Sequence, residues 1–360
     1  MTIEQPNIDI SFIQSANSFV ERSARGNAVL IIKDDTDETF TQKVYKTIAE
    51  LTADALLYTA ENLQYIKDTM EGGPFKTTVF RIATIADFES ALVLVEGALT
   101  TGWVGFADGL PADYDALSAW TVLMKVAKKT FMSAVFAPTT PPNSTNVVEL
   151  ENTLVTFVDD RGEVTGSKFI PSLLGYLAGA NVEKGTTYLT MGNLVSVTAP
   201  ADIDAELVLG KMVLINEYDA VKIALGINTL TEVTEDLTED FKFIETIEIN
   251  NLMLDDIREE FKKWIGKYKN KYDNQVIFLS AVNNYFKILE DADILDGEYD
   301  NLALINVEAQ RAAWVSVNPL AVDWDDAKVK NMAFKRQLFL MANVKELQSI
   351  TDLNFIISLA

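Results

Sequence analysis

Gly26-Asn-Ala28-Val-Leu-Ile-Ile32-Lys33-Asp34-Asp35 is the stretch on which the fold turns. Five apolar residues in a row, closed by a charged turn, read as a short strand buried on both faces rather than as one with a wet side. Downstream the pattern alternates. Residues 39–70 read as helical, with Val44, Ile48, Leu51, Ala55 and Tyr58 three or four apart, and Gly72-Gly73-Pro74 stops them. Strands are expected at 78–83, 103–106, 131–136 and 154–158, and helices from Asp87 to 99 and from Pro111 to about 129. Strand and helix in alternation predict an α/β fold with a mainly parallel sheet and flanking helices. A hairpin is expected around Glu217-Tyr-Asp-Ala220, between apolar runs at 212–216 and 221–225.

Near Thr231 the character changes. An acidic stretch led by Glu232, Glu235, Asp236, Glu239 and Asp240 precedes two helices, at about 243–268 and 273–289, and a strand-like run at 337–344. This predicts a C-terminal α+β domain. Upstream of Gly26, Ile8, Ile10 and Phe12 alternate with Asn7, Asp9 and Ser11, the period of a strand with one wet face. The other end repeats the pattern, with Leu353, Phe355, Ile357 and Leu359 on one face. The organisation expected is an N-terminal arm and linker at 1–25, an α/β domain at 26–230, an α+β domain at 231–348 and a C-terminal arm at 349–360.

Composition narrows the chemistry. The 360 residues carry 30 Lys and Arg against 53 Asp and Glu, a formal charge of −23, so a nucleic-acid partner is not expected. No Cys and no His occur, which excludes thiolate and imidazole catalysis and the usual zinc ligands. The opening Met-Thr-Ile-Glu-Gln-Pro has no signal-peptide pattern, and the apolar stretch at 91–107 is broken by Glu96, Gly97, Gly102 and Gly105. Assembly in a cytoplasm, without membrane insertion, is the expectation.

Candidate ligand sites are poor. Asp34, Asp35, Asp37 and Glu38 lack the spacing of a calcium loop and read as a solvated acidic turn. Asp291, Asp293 and Asp296 come nearer, but Leu295 stands at a ligand position. Gly162-Glu-Val-Thr-Gly-Ser-Lys168 fails the spacing of a phosphate loop. No catalytic residue, cofactor or metal is expected. One run reverses the acidic background: Arg258, Lys262, Lys263, Lys267, Lys269 and Lys271, interleaved with Phe261, Trp264 and Tyr268. It reads as an amphipathic helix whose cationic face is either simply solvated or a docking surface for an acidic partner. The terminal strands also have two readings, because a one-faced strand needs a sheet. Either they fold back on their own domain, or they join sheets of neighbouring copies.

Several segments resemble the contractile tail sheath proteins of phage tails and R-type bacteriocins, the diffocin-like sheaths among them. Phe169-Ile-Pro171-Ser-Leu-Leu-Gly175-Tyr-Leu-Ala-Gly179-Ala180 is similar to a helix of that family, and Gly226-Ile-Asn-Thr-Leu230 to a turn. The paired helices with Trp264, the ending from Val344 to Leu359 and the opening from Gly26 extend the likeness over most of the chain. The resemblance implies a structural subunit, not an enzyme. It implies hexameric rings stacked around an inner tube and contracting to drive that tube through a cell envelope, with a baseplate and tail terminator as further partners. It also implies that Ile8, Ile10, Phe12, Leu353, Phe355, Ile357 and Leu359 form intersubunit arm strands. Leu338, Leu340 and Ala342 then belong to the receiving sheet, and Lys262, Lys263, Lys267, Lys269 and Lys271 face the tube. Two other readings stand beside it: a carboxylate-based α/β enzyme such as a glycosidase, and another self-assembling shell protein.

Overall fold

A computed structural model describes residues 26–180, 182, 185–351 and 353–357. Ile8, Ile10, Phe12 and Leu359 therefore lie outside the described residues. The described residues divide into two compact units: 256–345, and 26–255 together with the segment from 346 onward.

In the larger unit the quoted run forms β1 (Asn27–Lys33), followed by β2 (Gln42–Tyr45), α1 (Ile48–Ala53), α2 (Ala60–Glu71), β3 (Lys76–Ile82), α3 (Phe88–Ala98), β4 (Thr101–Phe106), α4 (Pro111–Val126) and β5 (Thr130–Phe136). Then come β6 (Val147–Leu150), β7 (Leu154–Phe157), β8 (Glu163–Thr165), α5 (Gly166–Gly179), β9 (Leu194–Val197), α6 (Ile203–Val208), β10 (Lys211–Met212), β11 (Leu214–Glu217) and β12 (Ala220–Ile223). Seven strands make one sheet in the order β10-β6-β5-β4-β1-β3-β2. Every pair in it is parallel except β2 with β3. Ala28 to Ile32 are fully buried at its centre, as a continuous apolar run requires. The mainly parallel sheet with flanking helices is thus present. Two antiparallel sheets, β8-β7-β9 and the hairpin β11-β12, complete this unit.

Residues 39–70 are not one helix. Val44 belongs to the edge strand β2, and two threonines restart the chain. Thr47 caps α1 in a capping box with Glu50, and the Thr59 hydroxyl caps α2 by accepting from the Asn62 N–H. Helical spacing of apolar residues coexists here with two cap signals, and the caps win. The strand β6 was not expected. Four residues beside a Pro-rich loop give too short a run to stand out.

Helix α5 explains the Pro171–Gly175–Gly179 pattern. It is buried along most of its length, with Ile170 and Leu174 packed on Gly105 of β4. A Cβ on Gly175 would stand 2.0 Å from the Thr69 carbonyl oxygen of α2, and one on Gly179 would stand 2.0 Å from the Gly72 carbonyl oxygen. The two glycines let two helix backbones touch. The Gly226–Leu230 turn is equally structural. Buried Asn228 donates through Nδ2 to the Phe241 carbonyl (2.7 Å) and accepts from the Leu230 N–H through Oδ1 (3.0 Å). The Thr229 hydroxyl donates to the Ser144 carbonyl at 3.1 Å.

Helix α7 (Ile244–Trp264) crosses the boundary in sequence and leads into α8 (Tyr272–Asp291), β13 (Leu302–Ile305), α9 (Val307–Val315), α10 (Asp326–Asn331) and β14 (Leu340–Asn343). In the smaller unit Phe278 meets Phe261 and Trp264 edge-on, with ring centroids 5.5 and 5.3 Å apart. The Tyr285 hydroxyl donates to Asp256 Oδ2 at 2.8 Å. Strands β13 and β14 pair antiparallel as a two-stranded ribbon. Two helices, short helices and a ribbon make this the expected α+β region.

Candidate functional site

Three features outside the cores are candidates for contact with other molecules: the C-terminal segment, the β13-β14 ribbon and the basic turn after α7. The root of the C-terminal segment is tied down. Ser349 Oγ donates to Glu245 Oε1 (2.9 Å) in the first turn of α7, where the positive end of the helix favours a carboxylate. Gln348 Nε2 donates to Asp240 Oδ1 at 3.3 Å. Burial, with Asp240 and Glu245 nearby, pushes the Glu346 carboxyl up to about 7 against a lowering hydrogen bond from Asn250. Ile350, Leu353, Phe355 and Ile357 are 95, 87, 73 and 69% exposed, and no regular structure is assigned to the described residues there. Leu353, Phe355 and Ile357 therefore present apolar side chains to solvent.

The ribbon pairs Ile305 with Leu340, Leu304 with Met341 and Ala303 with Ala342. Leu340 is half-buried and Ala342 is exposed. Leu338 precedes the strand, so the strand-like run expected over 337–344 is shorter. Leu304 and Met341, partners across the ribbon, are exposed large apolar residues that the sequence reading did not single out. The outer edge of β13 is already met: the Ala303 N–H donates to Asn283 Oδ1 (2.7 Å) and its carbonyl accepts from Asn283 Nδ2 (3.3 Å), which leaves the outer edge of β14 for an added strand.

The expected cationic helix is broken. Helix α7 ends at Trp264, and Gly266, with φ +76°, takes the left-handed conformation that closes helices. Only Lys262 and Lys263 are helical; Lys267 and Lys269 lie in the connection, and Lys271 stands at the N-cap of α8. Lys262 pairs with Glu259, Lys263 with Glu260 at 3.0 Å and Lys271 with Asp273 at 2.8 Å.

The acidic turn at 34–38 is not simply solvated. Asp34 is buried and its carboxylate accepts from Thr36 N (2.9 Å), Thr59 N (2.9 Å) and Asn62 Nδ2 (2.8 Å). Burial opposes its ionisation, but these bonds outweigh burial and hold the carboxyl below its usual range. It is a clasp between β1 and α2. Among the described residues no group of three or more acidic side chains is arranged for a metal, and no helix is long and apolar enough to cross a membrane. Gly162 lies in the turn before β8, and Glu163 to Lys168 form β8 and the first turn of α5.

Comparison with known proteins places this architecture. Residues 236–359 match the phage tail sheath C-terminal domain. Over 97% of both chains the sequence is 25% identical to the tail sheath protein of Clostridium phage phiCD119. The fold matches the crystal structure of a sheath tail protein from Desulfitobacterium hafniense, with TM-score 0.69, 15% identity and coverage of 95% of this chain and 100% of the other. It also matches the helical sheath of the anti-feeding prophage in its contracted state, with TM-score 0.71, 11% identity and 99% of each chain covered. The sheath complex of an extracellular contractile injection system in the contracted state gives TM-score 0.68 at 11% identity, covering 99% of this chain and 98% of the other. All of these relatives are sheath proteins or sheath domains. Residues 236–359 thus carry the phage tail sheath C-terminal domain, and the fold over nearly the whole chain is that of contractile sheath structures.

Proposed function

We propose that this chain polymerises as stacked hexameric rings around an inner tube, and that the stack contracts to drive the tube through a target envelope. The observation that carries the reading is the exposed apolar segment beyond Ser349, in a chain whose ribbon β13-β14 keeps its β14 edge for a further strand. Leu353, Phe355, Ile357 and Leu359 at one end, with Ile8, Ile10 and Phe12 at the other, are the arm strands, and Leu340, Ala342 and the neighbouring Leu338 belong to the receiving sheet. Each ladder hydrogen bond nets about 1 kcal/mol and each buried Leu, Ile or Phe about 1.5–3 kcal/mol. A donated strand therefore holds two subunits together while their bodies rotate, provided its tether is slack. The clasp of Ser349 on Glu245 supports a fixed point from which that tether starts.

The five lysines from Lys262 to Lys271 face the tube in this reading, with no acidic residue among them in a chain of formal charge −23. The domain limits proposed are 26–230 for the α/β part and 231–348 for the C-terminal part. Tube, baseplate and tail terminator are the partners, and the particle, a phage tail or a diffocin-like bacteriocin, assembles in the cytoplasm before release. Electron microscopy of the full chain and of a chain lacking residues 350–360 tests the proposal. Striated cylinders from the first and folded monomers from the second are expected; cylinders from the shortened chain overturn it.

A further inference from the structure

Charge is divided unevenly along this chain. The segment Asp256–Lys345 has 13 basic and 14 acidic residues, nearly balanced, while the whole chain stands at −23. Within that segment two turns concentrate the cations: the one after α7, with Lys267 and Lys269, and one at Lys335-Arg336, where Lys335 has φ +45°. Asn270 joins them. Its Nδ2 donates to the Gln337 carbonyl (2.9 Å) and the Lys335 carbonyl (3.3 Å), and its Oδ1 accepts from Gln275 Nε2 (2.7 Å).

Between the turns lies a cleft of about 460 Å³ walled by Phe261, Trp264, Tyr268 and Leu338, with Lys269, Lys335 and Arg336 among its lining residues. Trp264 and Tyr268 stack with centroids 4.2 Å apart. All three cations are exposed, and none has a carboxylate within ion-pair distance among the described residues. The cleft is thus cationic at the rim and aromatic within, a combination that suits an acidic segment carrying an apolar residue.

The same chain presents such a segment. Thr231-Glu-Val-Thr-Glu-Asp-Leu-Thr-Glu-Asp240 holds five carboxylates in ten residues, with Val233 exposed among them. It is folded in advance. Asn143 Oδ1 accepts from the N–H of Thr231 (3.0 Å) and of Glu232 (3.2 Å). The Thr234 N–H donates to the Leu237 carbonyl (2.9 Å), and the Leu237 N–H to Thr234 Oγ1 (3.1 Å). Glu232, Glu235 and Asp236 have no basic partner among the described residues.

We propose that the Lys269–Lys335–Arg336 cleft receives the 231–240 loop of a second copy of the chain. The two surfaces are complementary in charge, and Glu232, Glu235 and Asp236 are left without a basic partner among the described residues; a repeating assembly offers such a loop to such a cleft at every subunit. The proposal goes beyond the arms. It shares only Lys269 with the tube-facing set, so its test needs no tube and turns on Lys335 and Arg336.

The test is titration of the full chain with a fluorescent peptide of residues 229–240, read by anisotropy. Saturable binding is expected, weakened about tenfold or more between 50 and 500 mM salt as screening rises. It should be lost on Lys335→Glu with Arg336→Glu and retained by Lys262→Glu, whose lysine lies on α7 and already has a partner. A peptide with Lys at 235 and 236 should bind the doubly reversed protein and not the natural one. Absence of saturable binding to the natural chain overturns the proposal. So does equal binding of a peptide with Gln and Asn in place of its acids, or binding indifferent to reversal at 335 and 336. Circular dichroism of each variant confirms that the exposed substitutions leave the fold intact.

Discussion

Gly175 and Gly97 both sit in helices, yet their surroundings are opposite. A methyl group on Gly175 runs into the Thr69 carbonyl at 2.0 Å, and the backbone cannot move aside without separating α2 from α5. Gly97, on the exposed side of α3, has nothing within 4 Å. Gly175→Ala is expected to cost at least about 2 kcal/mol through overpacking, whereas Gly97→Ala should gain about 0.5–1 kcal/mol. Thermal melts of the two variants check both signs. Glu149 of β6 gives a pH prediction. Burial pushes its carboxyl up to about 7, Lys211 pulls it down, and Glu151 and Glu206 raise it further. The folded chain thus keeps a proton that the unfolded chain has lost between an ordinary carboxyl value near 4.5 and about 7. The stability contributed by the neutral form is complete below that ordinary value and is lost as pH rises through 7. Glu149→Gln should flatten the fall in denaturation midpoint between pH 5 and 8; an unchanged slope contradicts this.

Among elements, α2 is held from two sides. Asp34 clasps its start, and near its end buried Asp68 accepts from Arg161 in the β7-β8 turn at 2.5 and 3.0 Å. The Arg161 guanidinium also lies 3.7 Å from the Phe157 ring centroid. Burial raises the Asp68 carboxyl despite that partner, so removing Arg161 leaves a desolvated acid. Arg161→Ala should cost about 2–3 kcal/mol, and Asp68→Asn should recover part of that loss in the Arg161→Ala background, measured as a double-mutant cycle in urea.

Legibility in sequence was greatest where one segment fixes its own state. The buried run Ala28–Ile32, the helix opened by Asp87 and the 217–220 hairpin needed no distant partner to be read. The glycine spacing of α5 was visible, but its cause, α2, lies about a hundred residues away. The cationic helix failed because Gly266 ends it, and the apolar spacing before 70 concealed two threonine caps. For the candidate contact surfaces, the lysines of one turn were legible and the Lys335-Arg336 turn was not. Asn270 joins the two only in space.

At the scale of the molecule, the features left for other molecules to meet are surface ones. At the surface of the described residues lie apolar side chains beyond Ser349, the outer edge of β14 and patches of opposite charge. Such surfaces are costly to leave uncovered in a monomer and useful in a polymer whose subunits stay tethered while they move. Because the natural chain has no cysteine, the tether can be traced cleanly. One differently tagged chain carrying Ile357→Cys is assembled with another carrying Ala342→Cys, and the assembly is oxidised. A disulfide joining the two chains is the predicted result. If that bond is absent and a chain carrying both cysteines closes only on itself within the assembly, the arms are not exchanged and the account is contradicted.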